Sequence, residues 1–126
     1  MTTILVVDDE ALIAMALQGA LEDEGYQVVT AANGKQGLER LGAIPRPDLV
    51  LLDMMMPIMS GPAMLQAMQA DPGLSAIPVI VLSSLPREAV QARTTGLAAI
   101  LRKPYTVNEV LGVISQVLGQ AGGSAS

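Results

Sequence analysis

The sequence predicts an α/β fold in which a doubly wound parallel sheet carries helices on both faces, and three observations support this. Apolar runs such as Ile4 to Val7, Leu49 to Leu52 and Ile77 to Leu82 are continuous rather than alternating, as strands covered on both faces must be. Stretches with helical spacing of apolar residues separate the runs, giving the order of a β-α repeat. The runs also stop at or just before polar groups: Asp8 and Asp9, Asp53, Ser83, and Lys103. Right-handed crossovers bring the carboxyl ends of all strands to one edge of such a sheet. Open sheets bind ligands at that edge, so three carboxylates, a hydroxyl and an ammonium are expected to converge there.

Each element has its own warrant. Thr3 to Val7 is the first strand, and Ile13, Ala16, Leu17, Ala20 and Leu21 then recur at helical spacing until Gly25. Gln27 to Thr30 is a second strand. Asn33-Gly34 marks a turn or helix start, and Leu38 with Leu41 gives a short helix ended by Gly42 and Pro45. After the strand Leu49 to Leu52, Ser60 caps a helix through Gln69, with Pro62 tolerated in its first turn. Ile77 to Leu82 is the fourth strand, followed by a helix from Pro86 to about Thr95, before Gly96. Ala99 to Leu101 is a short fifth strand. Thr106 and Glu109 form a capping-box pattern, and Val107, Val110, Leu111, Ile114 and Leu118 line one face of the last helix. The expected organisation is one domain over residues 1–119 and a flexible Gly/Ser-rich tail over residues 120–126.

Composition narrows the chemistry. The 126 residues suit one domain with a self-sufficient core, and the chain has neither cysteine nor histidine. Thiol and imidazole catalysis are therefore excluded, as are disulfides and zinc sites of nitrogen or sulfur; any metal site must be built from oxygen. Hydrophobic residues reach 51%, but no apolar stretch approaches the length of a membrane span and the N-terminus lacks a signal-peptide pattern. A soluble, cytoplasmic protein without membrane insertion is expected. The formal charge of -5 repels nucleic acid, and the 2% aromatic content leaves almost no surface for base stacking, so no direct nucleic-acid partner is expected.

Crowded carboxylates raise one another's pKa unless a cation neutralises them. With hard oxygen donors only, Mg²⁺ is the natural ion, and Mn²⁺ should substitute. Asp53 could then act as a nucleophile toward phosphorus, with Lys103 neutralising phosphoryl oxygens and Ser83 donating a hydrogen bond. Taken singly, each of these groups is an ordinary surface or turn residue. Their shared position at strand ends is what points to a site.

At these residues the chain resembles the receiver domains of response regulators in bacterial two-component signalling, over nearly all of Ile4 to Leu118. The motifs are ILVVDDE from Ile4 to Glu10, PDLVLLDMMMPIMSG from Pro47 to Gly61, PVIVLSS from Pro78 to Ser84 and LRKPY from Leu101 to Tyr105. The resemblance, closest to single-domain chemotaxis regulators, implies a flavodoxin-like five-stranded sheet in order 2-1-3-4-5. It implies Asp53 as phosphoacceptor and a Mg²⁺ site formed by Asp9, Asp53 and the backbone carbonyl of Met55, with Asp8 acting largely through metal-bound water. It further implies Ser83 as the switch hydroxyl, Lys103 as the family lysine, and a cis peptide between Lys103 and Pro104. Most members carry Tyr or Phe where this chain has Ile100, so the usual inward turn of an aromatic ring has no counterpart here.

The resemblance implies a stand-alone phosphorylation-dependent signalling module, not an enzyme beyond self-phosphorylation from small donors and self-dephosphorylation. Its partners would be a histidine kinase or histidine phosphotransfer protein and a downstream protein target, with a homodimer also open. A phosphorylation-independent interaction domain is the alternative. A metal-dependent aspartyl-phosphate phosphatase is disfavoured because Met55 stands where such enzymes need a second acid.

Overall fold

The computed structural model describes residues 2–43 and 46–121. Pro45 and residues 122–126, where a helix stop and most of the tail were expected, lie outside the described residues. The elements run β1 Thr3–Val7, α1 Ala11–Asp23, β2 Gln27–Ala31, α2 Gly34–Leu41, β3 Leu49–Asp53, α3 Gly61–Ala70, β4 Val79–Ser83, α4 Arg87–Arg93, β5 Ala99–Arg102 and α5 Val107–Ala121. All strand pairs are parallel, in the order β2-β1-β3-β4-β5. The three inner strands are buried along their whole length, whereas β2 and β5 at the edges are only partly so. Continuous apolar runs thus became two-sided strands, as the reading of the sequence expected.

Alternation along each strand divides the core between the two faces. Ile4, Val6, Leu49, Leu51, Ile80 and Leu82 point one way, against α1 through Ala14, Leu17 and Leu21 and against α5 through Val110, Ile114 and Val117. Leu5, Val7, Val50, Leu52 and Val79 point the other way, onto Leu41 of α2 and onto Met64, Leu65 and Met68 of α3. A smaller cluster of Met54, Val81 and Val90 seats α4, with half-buried Leu85, Leu97 and Ile100 around it. Among the described residues no helix is long and apolar enough to cross a membrane.

Helix starts follow side-chain chemistry. The Asn33 side chain accepts from the Gln36 N–H at 2.9 Å and the Ser60 hydroxyl from the Ala63 N–H at 3.3 Å. Thr106 and Glu109 form the reciprocal box: Glu109 N–H donates to Thr106 Oγ1 at 3.1 Å, and Thr106 N–H donates to Glu109 Oε1 at 2.9 Å.

The faces and ends of some elements differ from the expectation. Ala14 rather than Ala16 packs inward on α1, because the sheet lies beneath the stripe 14, 17, 21. Val107 is exposed and Val117 buried, since a side chain in the first turn leans toward the helix start, with no preceding turn to cover it. α4 stops at Arg93, where Thr94 turns extended and donates its hydroxyl to the Val90 carbonyl at 2.7 Å. α5 runs on through Gly119 to Ala121, past the expected end of the domain. β3 and β4 each extend one residue further than the apolar runs, so Asp53 and Ser83 belong to the strands themselves.

Candidate functional site

Register places the polar groups side by side. Val7 pairs with Leu52, so Asp8 stands level with Asp53; Asp53 pairs with Leu82, one residue before Ser83. Ser83 pairs with Arg102, and the Lys103 N–H donates to the Ser83 carbonyl at 2.8 Å, which brings the lysine onto the same edge. One carboxylate oxygen from each of Asp8, Asp9 and Asp53 lies within 4.8 Å of the others. Lys103 Nζ reaches across to Asp53 Oδ1 at 3.5 Å and Asp8 Oδ2 at 3.9 Å. The residues expected to meet do meet.

The pocket is recessed. Asp8 is 3% exposed and Asp53 7%, while Asp9 is open to solvent. Asp8 Oδ1 accepts the Glu10 N–H at 2.8 Å, but Asp8 Oδ2 is buried without a hydrogen-bond partner. A buried, unpartnered carboxylate oxygen is costly unless a cation satisfies it. Burial raises Asp8 above the ordinary carboxylate value of 3.8; the Glu10 N–H and Lys103 pull it back, and Glu10 and Asp9 add to the rise. Burial is also the main cause of the raised Asp53, with Lys103 and the Met54 N–H opposing it and Asp8 and Asp9 adding to it. Tyr105 is raised too, by burial first and then by the charges of Asp8, Asp53 and Glu10. One ammonium therefore faces three carboxylates, and an all-oxygen donor set with an unsatisfied oxygen suits a hard divalent cation.

Ser83 Oγ accepts the Leu85 N–H at 3.0 Å, which leaves its own proton available to an incoming acceptor. Met55 follows in the loop after β3 and is 65% exposed.

The description "Response regulator receiver domain" matches residues 4–115. This chain belongs to that family. It is 36% identical over 125 residues to the probable transcriptional regulatory protein TcrX of Mycobacterium tuberculosis, covering 95% of this chain and 51% of that protein. The chain thus spans about half the length of the curated relatives it matches. Among solved structures, the chemotaxis protein CheY4 of Vibrio cholerae superposes with a TM-score of 0.87 at 27% identity, covering 93% of this chain and 98% of that one. The response regulator TrrA of Thermotoga maritima, solved in complex with Mg²⁺-BeF, gives 0.82 at 27% identity, covering 93% and 99%.

Ile100 lies half-buried against the Met54, Val81 and Val90 cluster with Leu85 and Leu97. The Lys103-Pro104 peptide is cis, as expected. Two features escaped sequence reasoning. Gly61 packs so closely on the end of β3 that a Cβ there would stand 2.3 Å from the Asp53 carbonyl oxygen, and its N–H donates to the Met54 carbonyl at 3.1 Å. Ile58 adopts φ 68°, a left-handed conformation that a β-branched side chain gives no reason to expect.

Two outcomes follow from this geometry. Because Asp8 and Asp53 are raised, the folded chain holds their protons more tightly than the unfolded chain. Their contribution to stability is full below the ordinary value of 3.8 and is lost as pH rises through the raised folded-state values. In metal-free protein, Asp53→Asn should therefore melt higher than wild type at neutral pH, with the gain vanishing toward about pH 4; a lower melting temperature at pH 7 would contradict the electrostatic account. Gly61→Ala should cost about 1–3 kcal/mol in urea denaturation through overpacking and weaken divalent-ion binding by displacing Asp53. An unchanged midpoint and unchanged ion affinity would show that the close approach is not required.

Proposed function

We propose that this chain is a phosphorylation-dependent signalling module that accepts a phosphoryl group on Asp53 from a phosphohistidine of a histidine kinase or histidine phosphotransfer protein. The observation that carries this reading is Asp53 itself: a buried carboxylate at the end of a central strand, 3.5 Å from Lys103 and beside the unpartnered oxygen of Asp8. Asp8, Asp9, Asp53 and the backbone carbonyl of Met55 are the groups that would hold Mg²⁺, and Mn²⁺, an equally oxygen-seeking ion, should serve in its place. The bound ion would supply positive charge that offsets the carboxylates and the phosphoryl oxygens.

The chain's own residues then have distinct tasks. The Asp53 carboxylate oxygen forms the new O–P bond while the N–P bond of the donor breaks, its electron pair returning to the imidazole nitrogen. The donor imidazole lies outside these 126 residues, which contain no histidine. Lys103 neutralises charge on the transferring group, and the Ser83 hydroxyl donates to a phosphoryl oxygen. Output runs through contact with a downstream protein in the cytoplasm, where the kinase's phosphohistidine is available. The curated relatives named as transcriptional regulators are about twice as long, so DNA binding is not assigned to this chain.

Incubation with acetyl phosphate and Mg²⁺ should add one phosphoryl group to the intact mass of the wild-type chain. Asp53→Asn should take up none, and chelation of the metal should suppress the reaction. Equal labelling of the two proteins would place the acceptor elsewhere.

A further inference from the structure

Helices α3 and α4 cover the same face of the sheet. Val81 lies two residues beyond Val79 on β4 and so points the same way, which seats α4 on the face that already carries α3. Helices that lie side by side in this way ordinarily pack in contact. Here a cleft of about 510 Å³ separates them, a size that small ligands occupy. α4 turns one buried side chain, Val90, to the core, and the Gln69 side chain of α3 reaches the Thr95 carbonyl beyond α4. Gly96 makes room for that bond, since a Cβ there would stand 2.6 Å from Gln69 Nε2.

The lining is polar where two neighbouring helices would be expected to interdigitate apolar side chains. Gln66 and Gln69 contribute from α3, and Gln91, Arg93, Thr94 and Thr95 from α4 and the turn after it. Pro62 and Leu65 add a small apolar floor. No Asp or Glu takes part in the lining, in a chain with 12 acidic residues against 7 basic ones. Glu88 and Asp71, the acids nearest in sequence, lie outside it, and Asp71 Oδ1 already accepts the Gly73 N–H at 2.8 Å. Among the described residues Arg93 has no ion-pair partner, and Gln66 and Gln91 make no side-chain hydrogen bond.

We infer that the cleft between α3 and α4 is a binding site for a small polyhydroxylated monocarboxylate, a sugar acid in chemical class, with its carboxylate on Arg93 and its hydroxyls on the carboxamides of Gln66 and Gln91. Groups present in the lining, and groups missing from it, make the choice. A guanidinium holds a carboxylate through two parallel N–H bonds, and a single such group suits one negative charge rather than a chain of phosphates. A carboxamide both donates and accepts, as a hydroxyl does, so three glutamines with two threonines match a run of hydroxyls. No aromatic ring is present on which a nucleobase could stack. An α-amino acid would bring an ammonium with no carboxylate to meet it. The cleft shares no residue with the acidic pocket, so the site does not depend on phosphotransfer to Asp53.

The probe is D-gluconate, titrated into the metal-free full chain while backbone amide resonances are followed. A saturable change confined to residues 63–69 and 91–96 is expected, together with a rise in melting temperature as the ligand ties α4 to α3. Arg93→Gln should weaken binding roughly tenfold, and Gln91→Leu should weaken it by a smaller factor. Arg87→Gln removes the same charge from the same helix outside the cleft lining and should bind as wild type. Glucose, which has the hydroxyls without the charge, and acetate, which has the charge without the hydroxyls, should each bind at least about tenfold more weakly than gluconate. No saturable response to gluconate would overturn the inference, as would glucose or acetate binding equally well. Equal losses in Arg87→Gln and Arg93→Gln would reduce the effect to the general field of α4 and overturn it too.

Discussion

Repulsion among Asp8, Asp9 and Asp53, opposed by the single ammonium of Lys103, is the constraint around which this molecule is arranged. Three carboxylate oxygens within 4.8 Å of one another would not assemble in a flexible chain. Here the backbone leaves no choice: Asp53 is the last residue of a central strand, and Asp8 is held by the Asp8 N–H bond to Ala31 at 3.0 Å and by the Glu10 N–H on its own carboxylate. The inner strands, buried along their length, supply the apolar burial that offsets the cost of placing charge at their ends. The raised carboxylates record that cost, and a bound cation would lower it.

Much of the site was legible because chemistry and periodicity coincide at strand ends. A polar residue that interrupts a continuous apolar run marks the sheet edge directly, and that placed Asp8, Asp53, Ser83 and Lys103 without any structure. The lateral order of strands was not legible in this way. Apolar runs of similar composition carry no label saying which lies beside which, and the order 2-1-3-4-5 came from family resemblance. The face of α1 was read correctly at Leu17 and Leu21 but not at Ala16, two residues from the buried Ala14, since alanines on several sides of the helix carry little pattern. Ile58 could not have been read at all: residue type argues against its conformation, and only the hydrogen bonds of the surrounding loop impose it. The tight seat of Gly61 against Asp53 is likewise a matter of tertiary approach.

The pocket is physically continuous with the α4 side of the molecule. Met54, directly after Asp53, is buried with Val81 and Val90, and Leu85, whose N–H is bonded to the Ser83 hydroxyl, packs into the same cluster with Ile100. α4 buries only Val90, and the loop beyond it is tied to α3 by a hydrogen bond from the Gln69 side chain to the Thr95 carbonyl. The Leu85 N–H bond to Ser83 thus joins the pocket to the aliphatic packing around α4. Val81, Val90 and Ile100 are β-branched with few alternative rotamers, whereas the unbranched Met54 beside Asp53 is the adaptable member of the cluster.

The central claim, that the three carboxylates act as one cation site, is tested most directly by titrating metal-free protein with Mg²⁺ while following backbone amide resonances. The account predicts a single saturable transition confined to the amides of residues 8–10 and 53–56 and to Lys103. Shifts that fail to saturate, or that are as large at the exposed acidic end of α1 around Glu22 and Glu24 as at Asp53, would contradict it.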